Sequence, residues 1–187
     1  MAISIGDITR GMILVYGGEL YEVLEFEHVK RGRGGAFVRA KMRGLRTGRV
    51  ITETLKDSDN LDSAFLETRT MQYVYQSGDK YVFMDKESFE EYELSAATVE
   101  GIKGYLVEGL DFTGQFYQGQ LLKVAPPNFV DLQVVQAPPG VRGDTATGGE
   151  KPATLQTGLV VKVPLFVETG DVIRVDTRTG AYVERVS

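Results

Sequence analysis

Apolar and polar residues alternate with a period of two along most of the chain. Over 21–28 the order Tyr-Glu-Val-Leu-Glu-Phe-Glu-His predicts a strand, and 36–43 predicts a second, with a glycine-punctuated tip between them. The segments 71–75 and 81–84 flank Ser77-Gly78-Asp79, which is a hairpin signal. Phe116-Tyr117 and residues 121–124 flank Gln118-Gly119-Gln120 in the same way, and 172–175 and 181–183 enclose Arg178-Thr179-Gly180. Helical periodicity is confined to 95–105, where Ser95 is a suitable N-cap. Many short strands at regular spacing predict an all-β protein of small barrels or a sandwich.

Two interruptions divide this pattern. The run Lys56-Asp57-Ser58-Asp59-Asn60 is polar and turn-rich, and Pro126-Pro127-Asn128 cannot continue a sheet ladder. They predict three units over 1–63, 64–126 and 127–187, each near the lower size for an independent core. One 187-residue sandwich is the competing arrangement.

Composition narrows the chemistry. With Cys 0 there are no disulfides, thiolate zinc sites or cysteine nucleophiles. With His 1, any histidine-based triad depends on His28 alone. No apolar run resembles a signal-peptide core or reaches the length of a membrane span, so a cytoplasmic address with no membrane contact is expected. The net charge of -5 argues against a protein that coats nucleic acid over its whole surface. The charge is uneven: +1 over 1–63, −5 over 64–126 and −1 over 127–187. Eight of the ten basic residues of the first unit lie between Lys30 and Arg49, a span with no carboxylate.

Within that span the alternation sets Ala36, Val38, Ala40 and Met42 on one face of a strand, with Phe37, Arg39, Lys41 and Arg43 on the other. One face suits a barrel core while the other presents a row of cations. Lys30, Arg31, Gly32, Arg33, Gly34 and Gly35 occupy the turn of the same hairpin. Glycines allow a sharp bend and close approach, and the arginine fork suits phosphate oxygens. Row and tip together read as an RNA-contacting edge.

Catalytic signals are poor. Residues 143–151 (GDTATGGEK) imitate a phosphate-binding loop, but Gly149 follows Gly148 where a lysine is required, and no βαβ pattern surrounds them. Glu90-Glu91 and Asp57/Asp59 lie on turns, where carboxylates are solvated, and no metal-ligand spacing is present. His28 beside the basic tip suits a structural or RNA-stacking role. No cofactor is expected, and the chain is not expected to be an enzyme.

Residues 151–170, KPATLQTGLVVKVPLFVETG, resemble over their full length the signature of bacterial translation elongation factor P. PPGVRGDT at 138–145 resembles that family's Gly-Asp-Thr loop, VKRGRGGA at 29–36 its tip hairpin, and YVFMD at 81–85 and Pro126-Pro127 its central part. The resemblance implies an SH3-like N-terminal barrel followed by two OB-fold barrels in an elongated L shape that imitates transfer RNA. It implies a monomer that binds the 70S ribosome beside the P-site peptidyl-tRNA, touching ribosomal RNA and ribosomal proteins near the E site, and relieves stalling at consecutive prolines. It places Arg33 at the tip facing the tRNA acceptor end, with Lys30, Arg31, Gly32 and Gly34 around it. It sends the loop of Gly143, Asp144 and Thr145 toward the small subunit, and ties Tyr182 and Arg185 to ribosome function. Arg31 departs from the proline many members have two residues before the tip, and Gly35 from a larger polar residue. Arginine at the tip resembles the branch that carries rhamnose there, so Arg33 is either rhamnosylated or bare. A related paralogue, the elongation factor P-like protein, also has a tip arginine; the intact Gly-Arg-Gly and Gly-Asp-Thr pieces favour the factor itself.

The residues agree with this picture. Peptide-bond formation between prolines is limited by geometry, and positioning the tRNA end needs no protein acid or base. Two rival functions remain, a small OB-fold protein that binds single-stranded nucleic acid and a β-rich enzyme of unknown type. Tight binding to free RNA would favour the first, and turnover of a small substrate the second.

Overall fold

The computed structural model describes residues 1–32, 35–140 and 148–187. Among these, fifteen strands form three five-stranded antiparallel sheets, each drawn from one contiguous stretch of chain. The first contains β1 (Ile13–Tyr16), β2 (Glu19–Arg31), β3 (Gly35–Gly44), β4 (Val50–Leu55) and β5 (Asp62–Ser63), in the order β4-β3-β2-β1-β5. The second contains β6 (Glu67–Ser77), β7 (Lys80–Asp85), β8 (Glu91–Ser95), β9 (Asp111–Tyr117) and β10 (Gln120–Ala125), in the order β10-β9-β6-β7-β8. The third contains β11 (Phe129–Gln136), β12 (Glu150–Leu155), β13 (Val160–Pro164), β14 (Val172–Asp176) and β15 (Ala181–Arg185), in the order β13-β12-β11-β14-β15. In the second and third sheets the two end strands approach each other, curling each sheet toward a barrel.

Each sheet has its own core. Val38, Ala40 and Met42 of β3 join Leu14, Val23 and Leu55 in the first, as the alternation along 36–43 requires. Phe83, Phe116 and Met71 fill the second; Leu132, Leu155 and Ile173 fill the third. The hairpin turns obey local chemistry: Gln118 and Gly119 both take positive φ, 50° and 76°, the two-residue turn whose twist matches the flanking strands.

The protein exposes 11494 Å². A compact monomer of this mass would expose about 8,900 Å² by the usual scaling. Three small cores, rather than the single sandwich, account for the excess.

The helical stretch is shorter than the pattern predicts. Ser95 caps it, its Oγ accepting the Thr98 N–H at 3.3 Å, but α-helix persists only over α1 (Ala96–Val99). It continues as 3₁₀ over Glu100–Tyr105, a stretch containing Gly101 and Gly104, both poor helix formers. The change of helix type has a use. Val99 packs into the second core while Tyr105 is buried in the third, so this segment joins the two barrels. Thr157 Oγ1 donates to the Gly104 carbonyl at 2.7 Å across that junction. The first and second barrels meet through Leu20, Leu45 and Leu122, flanked by an Arg46 Nη2 hydrogen bond to Gln120 Oε1 at 2.9 Å and a Lys123–Glu22 ion pair at 3.5 Å.

Gly114 is set by packing. A Cβ there would lie 2.5 Å from Met71 Cγ and 3.1 Å from Leu121 Cδ1. Gly114→Ala is therefore expected to destabilise the protein by about 1–3 kcal/mol through overpacking. Thermal melting checks this, and an unchanged melting temperature would show that the core has room.

Candidate nucleic-acid interface

The strands β2 and β3 are longer than their neighbours and pair from Tyr21↔Gly44 out to Arg31↔Gly35. The barrel ends well before the hairpin does. From Glu25 to Lys30 no residue is buried, nor is any from Gly35 to Phe37. At about 3.3 Å per residue, the eight steps from Val23 to Arg31 carry the hairpin roughly 26 Å past its last buried position on β2. A shift of register between Val23 and Glu25 marks the point of departure.

The two faces of the hairpin differ. One continues the core side and bears Phe26 and His28, whose rings meet edge to face at 5.3 Å. The other carries the basic row, and Arg39, Lys41 and Arg43 are all exposed as the alternation predicts. Register adds what the sequence span alone conceals. Glu27 stands opposite Arg39, Glu25 opposite Lys41 and Glu22 opposite Arg43. Lys41 Nζ lies 3.6 Å from Glu25 Oε1 with both groups open to water. Such a pair contributes little to stability, at most about 1 kcal/mol, yet each glutamate offsets the field of the cation beside it. Positive charge uncompensated by neighbouring acids therefore concentrates at the tip: between His28 and Val38 the chain contains Lys30, Arg31 and Arg33 and no carboxylate. Counting outward from Arg33 in both directions would have exposed these partners, since it sets Glu27 against Arg39 and Glu25 against Lys41.

Lys30 and Gly32 are exposed at the hairpin end. Arg33 and Gly34 lie outside the described residues, as do Gly143, Asp144 and Thr145 of the second predicted loop.

The third sheet holds Tyr182 and Arg185. They are three residues apart, which in a regular strand sets them on opposite faces. A bulge on β15 changes that. Tyr182 pairs with Val175 and Arg185 with Ile173, and Val175 and Ile173 both point into the core, so Tyr182 and Arg185 share a face. Tyr182 packs on the third core. Arg185 lies at its margin, its Nη1 3.5 Å from Asp171 Oδ2 and its Cζ 5.3 Å from the centre of the Phe166 ring. The hairpin and this pair belong to different sheets, with the second sheet between them in the chain.

Three family descriptions match consecutive stretches of the chain. They are "Elongation factor P (EF-P) KOW-like domain" over 4–61, "Elongation factor P (EF-P) OB domain" over 66–124 and "Elongation factor P, C-terminal" over 130–185. Elongation factor P of Thermoanaerobacter sp. is 47% identical over 184 residues, 98% of this chain and 100% of the relative. That of Thermus thermophilus is 49% identical over 183 residues, covering 98% and 99%. Among solved structures, the eukaryotic translation initiation factor 5A from Methanococcus jannaschii superposes with a TM-score of 0.54 at 19% identity, over 67% of this chain and 92% of that one, which is a likeness of fold. Similarity at this level from end to end, over a KOW-like barrel and OB barrels with a projecting basic hairpin, places the chain in the elongation factor P family of bacterial translation factors.

Proposed function

We propose that this translation factor binds the 70S ribosome beside the P-site peptidyl-tRNA, as a monomer, and speeds peptide-bond formation at consecutive prolines by positioning the tRNA acceptor end. The observation that carries the reading is the hairpin. It projects past its barrel, and positive charge lacking acidic neighbours gathers at its end. A narrow two-stranded finger tipped with Lys30, Arg31 and Arg33 suits a crowded RNA cavity where a broad basic surface would not fit. Gly32 and Gly34 let the backbone come close. The chemistry asked of it is modest. Restricting the acceptor end to reactive geometries lowers an entropic barrier, and the ribosome supplies the rest.

The remaining parts divide the labour of docking. The loop of Gly143, Asp144 and Thr145, with Tyr182 and Arg185 on the same barrel, faces the small subunit in this reading. The acidic middle barrel turns to solvent or to ribosomal protein near the E site, because its excess of carboxylates repels RNA. In this reading Arg33 is either rhamnosylated or bare, and an intact-mass measurement on protein from its native host reads an added deoxyhexose directly.

Reconstituted translation of a triproline template tests the function: added factor should raise the rate of proline–proline synthesis, and no stimulation at saturating factor would overturn it. The basic row has a smaller part. Replacing Arg39, Lys41 and Arg43 together by glutamine should weaken ribosome binding by on the order of 1 kcal/mol for each phosphate no longer neutralised, with a shallower salt dependence. The unpaired Glu22, Glu25 and Glu27 left behind add repulsion. Unchanged affinity and salt slope with the barrel folded would show that this face is only solvated.

A further inference from the structure

The turn from Asp85 to Glu91, between β7 and β8 of the middle barrel, holds a side chain that the fold does not need. Phe89 takes a φ of 60°, in the left-handed region that glycine and asparagine enter readily and a bulky residue avoids. Its side chain is 71% exposed. The turn itself fixes this backbone. The Asp85 N–H donates to the Glu90 carbonyl at 2.9 Å and the Phe89 N–H to the Asp85 carbonyl at 2.8 Å, while the buried Asp85 carboxylate gathers the N–H groups of Glu87 and Ser88. These bonds close the loop onto the Met84–Glu91 pair of the two strands. The hairpin therefore requires a positive φ at 89, but it does not require phenylalanine. Phe129 and Phe166, also exposed, each have an arginine over the ring, whereas among the described residues Phe89 meets neither ring nor cation. Nothing inside the chain offsets both strain and exposure, a combination that points to a contact residue.

The rim of the turn selects the partner. Glu87 and Glu91 are exposed and in no ion pair among the described residues, and Glu90 accepts the Tyr92 hydroxyl at 2.9 Å. Lys86, the only cation of the turn, is taken up by Asp111 at 2.8 Å. The barrel beneath is the most acidic of the three. A ribosome offers two kinds of surface, RNA phosphates and basic proteins, and this field repels the first and attracts the second. A projecting aromatic with acidic surroundings complements an apolar pocket rimmed by lysine or arginine. We infer that the Asp85–Glu91 turn docks on a basic ribosomal protein, with Phe89 seated in its pocket and Glu87 and Glu91 facing its cations. The inference rests on the proposed ribosome complex and concerns a surface distinct from the hairpin.

Phe89→Asn separates docking from folding, because asparagine tolerates a positive φ. The variant should melt no lower than the wild type yet bind 70S ribosomes about tenfold more weakly, as loss of an interfacial aromatic does. Phe89→Tyr, which retains the ring, should bind normally. Equal affinity of wild type and Phe89→Asn would overturn the inference and leave the ribosome reading standing. Replacing Glu87 and Glu91 together by glutamine should also weaken binding; tighter binding would mean that the turn faces RNA, and would count against the inference. The chain has no cysteine, so benzophenone maleimide on Phe89→Cys labels a single known position. Photolysis on the ribosome should give an adduct with a ribosomal protein, through a peptide rich in lysine or arginine. Adducts with ribosomal RNA alone, or none from labelled factor that cosediments, would sink the idea. If the wild type itself fails to bind, the ribosome reading falls and this inference with it.

Discussion

An Arg33→Ala variant is expected to bind ribosomes nearly as well as the wild type and to lose most of its stimulation of proline–proline synthesis. The expectation follows from where binding and rate enhancement reside. In the proposed complex docking is spread over three barrels, so one side chain carries a small share of it. Positioning of the acceptor end is assigned to the tip in the proposed complex, where a guanidinium can make charge-assisted hydrogen bonds worth ~1.5–3 kcal/mol each. That range corresponds to roughly a tenfold to hundredfold change in rate. Arg33→Lys should rescue poorly, since an ammonium has the charge without the planar fork. If the natural protein carries rhamnose on Arg33, both variants also lose that group, and unmodified wild-type protein is the necessary comparison. Translation of a triproline template with saturating factor separates rate from affinity. Wild-type rates with Arg33→Ala would make the tip a structural feature and move the functional centre elsewhere.

Replacing Asp85 should have the largest effect on stability. This carboxylate is buried at the end of β7, where it accepts N–H groups from Glu87 at 2.8 Å and Ser88 at 3.3 Å and receives Arg69 Nη1 at 3.3 Å. Arg69 is held in turn by Glu67, its Nε 2.8 Å from Oε1, and its guanidinium lies 4.4 Å from the centre of the Phe116 ring. One acid therefore ties a turn, a strand and the core of the middle barrel together. Asp85→Ala leaves two backbone donors and part of a guanidinium unpaired, and should cost about 3–5 kcal/mol. For a barrel of this size each kcal/mol lowers the melting temperature by roughly 4–8 °C. Asp85→Asn should cost less, because an amide oxygen can still accept from the turn. A loss below 1 kcal/mol for the alanine variant would show that water replaces the carboxylate.

The same site gives the protein an acid-sensitive element. The Glu87 N–H foremost, then the Ser88 N–H and Arg69, hold the Asp85 carboxyl below its ordinary range, while Arg69 lowers that of Glu67. A carboxyl whose folded pKa is depressed adds stability above the unfolded pKa, about 4. That contribution is lost as pH falls through the folded value. Stability should thus decline below about pH 4, and the decline should be shallower in Asp85→Ala, which has already lost Asp85's contribution. Equal slopes in pH-dependent denaturant unfolding would assign the acid limb to other groups.

Much of the fold was written locally in the chain. Gln118-Gly119 specifies its hairpin because two adjacent residues must adopt positive φ, a property of the turn itself. The period-two order of 36–43 decided which side of β3 is core, since successive side chains on a pleated strand point to opposite faces. Ser95 marked a helix start because capping involves only the next few residues. The cationic cluster was equally legible, as Lys30, Arg31 and Arg33 fall within four residues of sequence among glycines.

What tertiary structure alone decided depends on register and on packing between distant segments. The glutamates opposite Arg39, Lys41 and Arg43 belong to the preceding strand, and the Glu22–Arg43 pair follows only after a register shift that alternation cannot locate. The bulge on β15 is of the same kind, because one extra residue reverses the facing of everything beyond it and so unites Tyr182 with Arg185. Gly114 looks dispensable until Met71 and Leu121 close over it, and the sharing of one short helical segment between two cores emerges only when the barrels meet. Local rules act over a few residues and survive in any one-dimensional reading. Cross-strand charge balance, bulges and junctions are set by contacts between residues far apart in the chain, and these exist only once the sheets have chosen their register and packed.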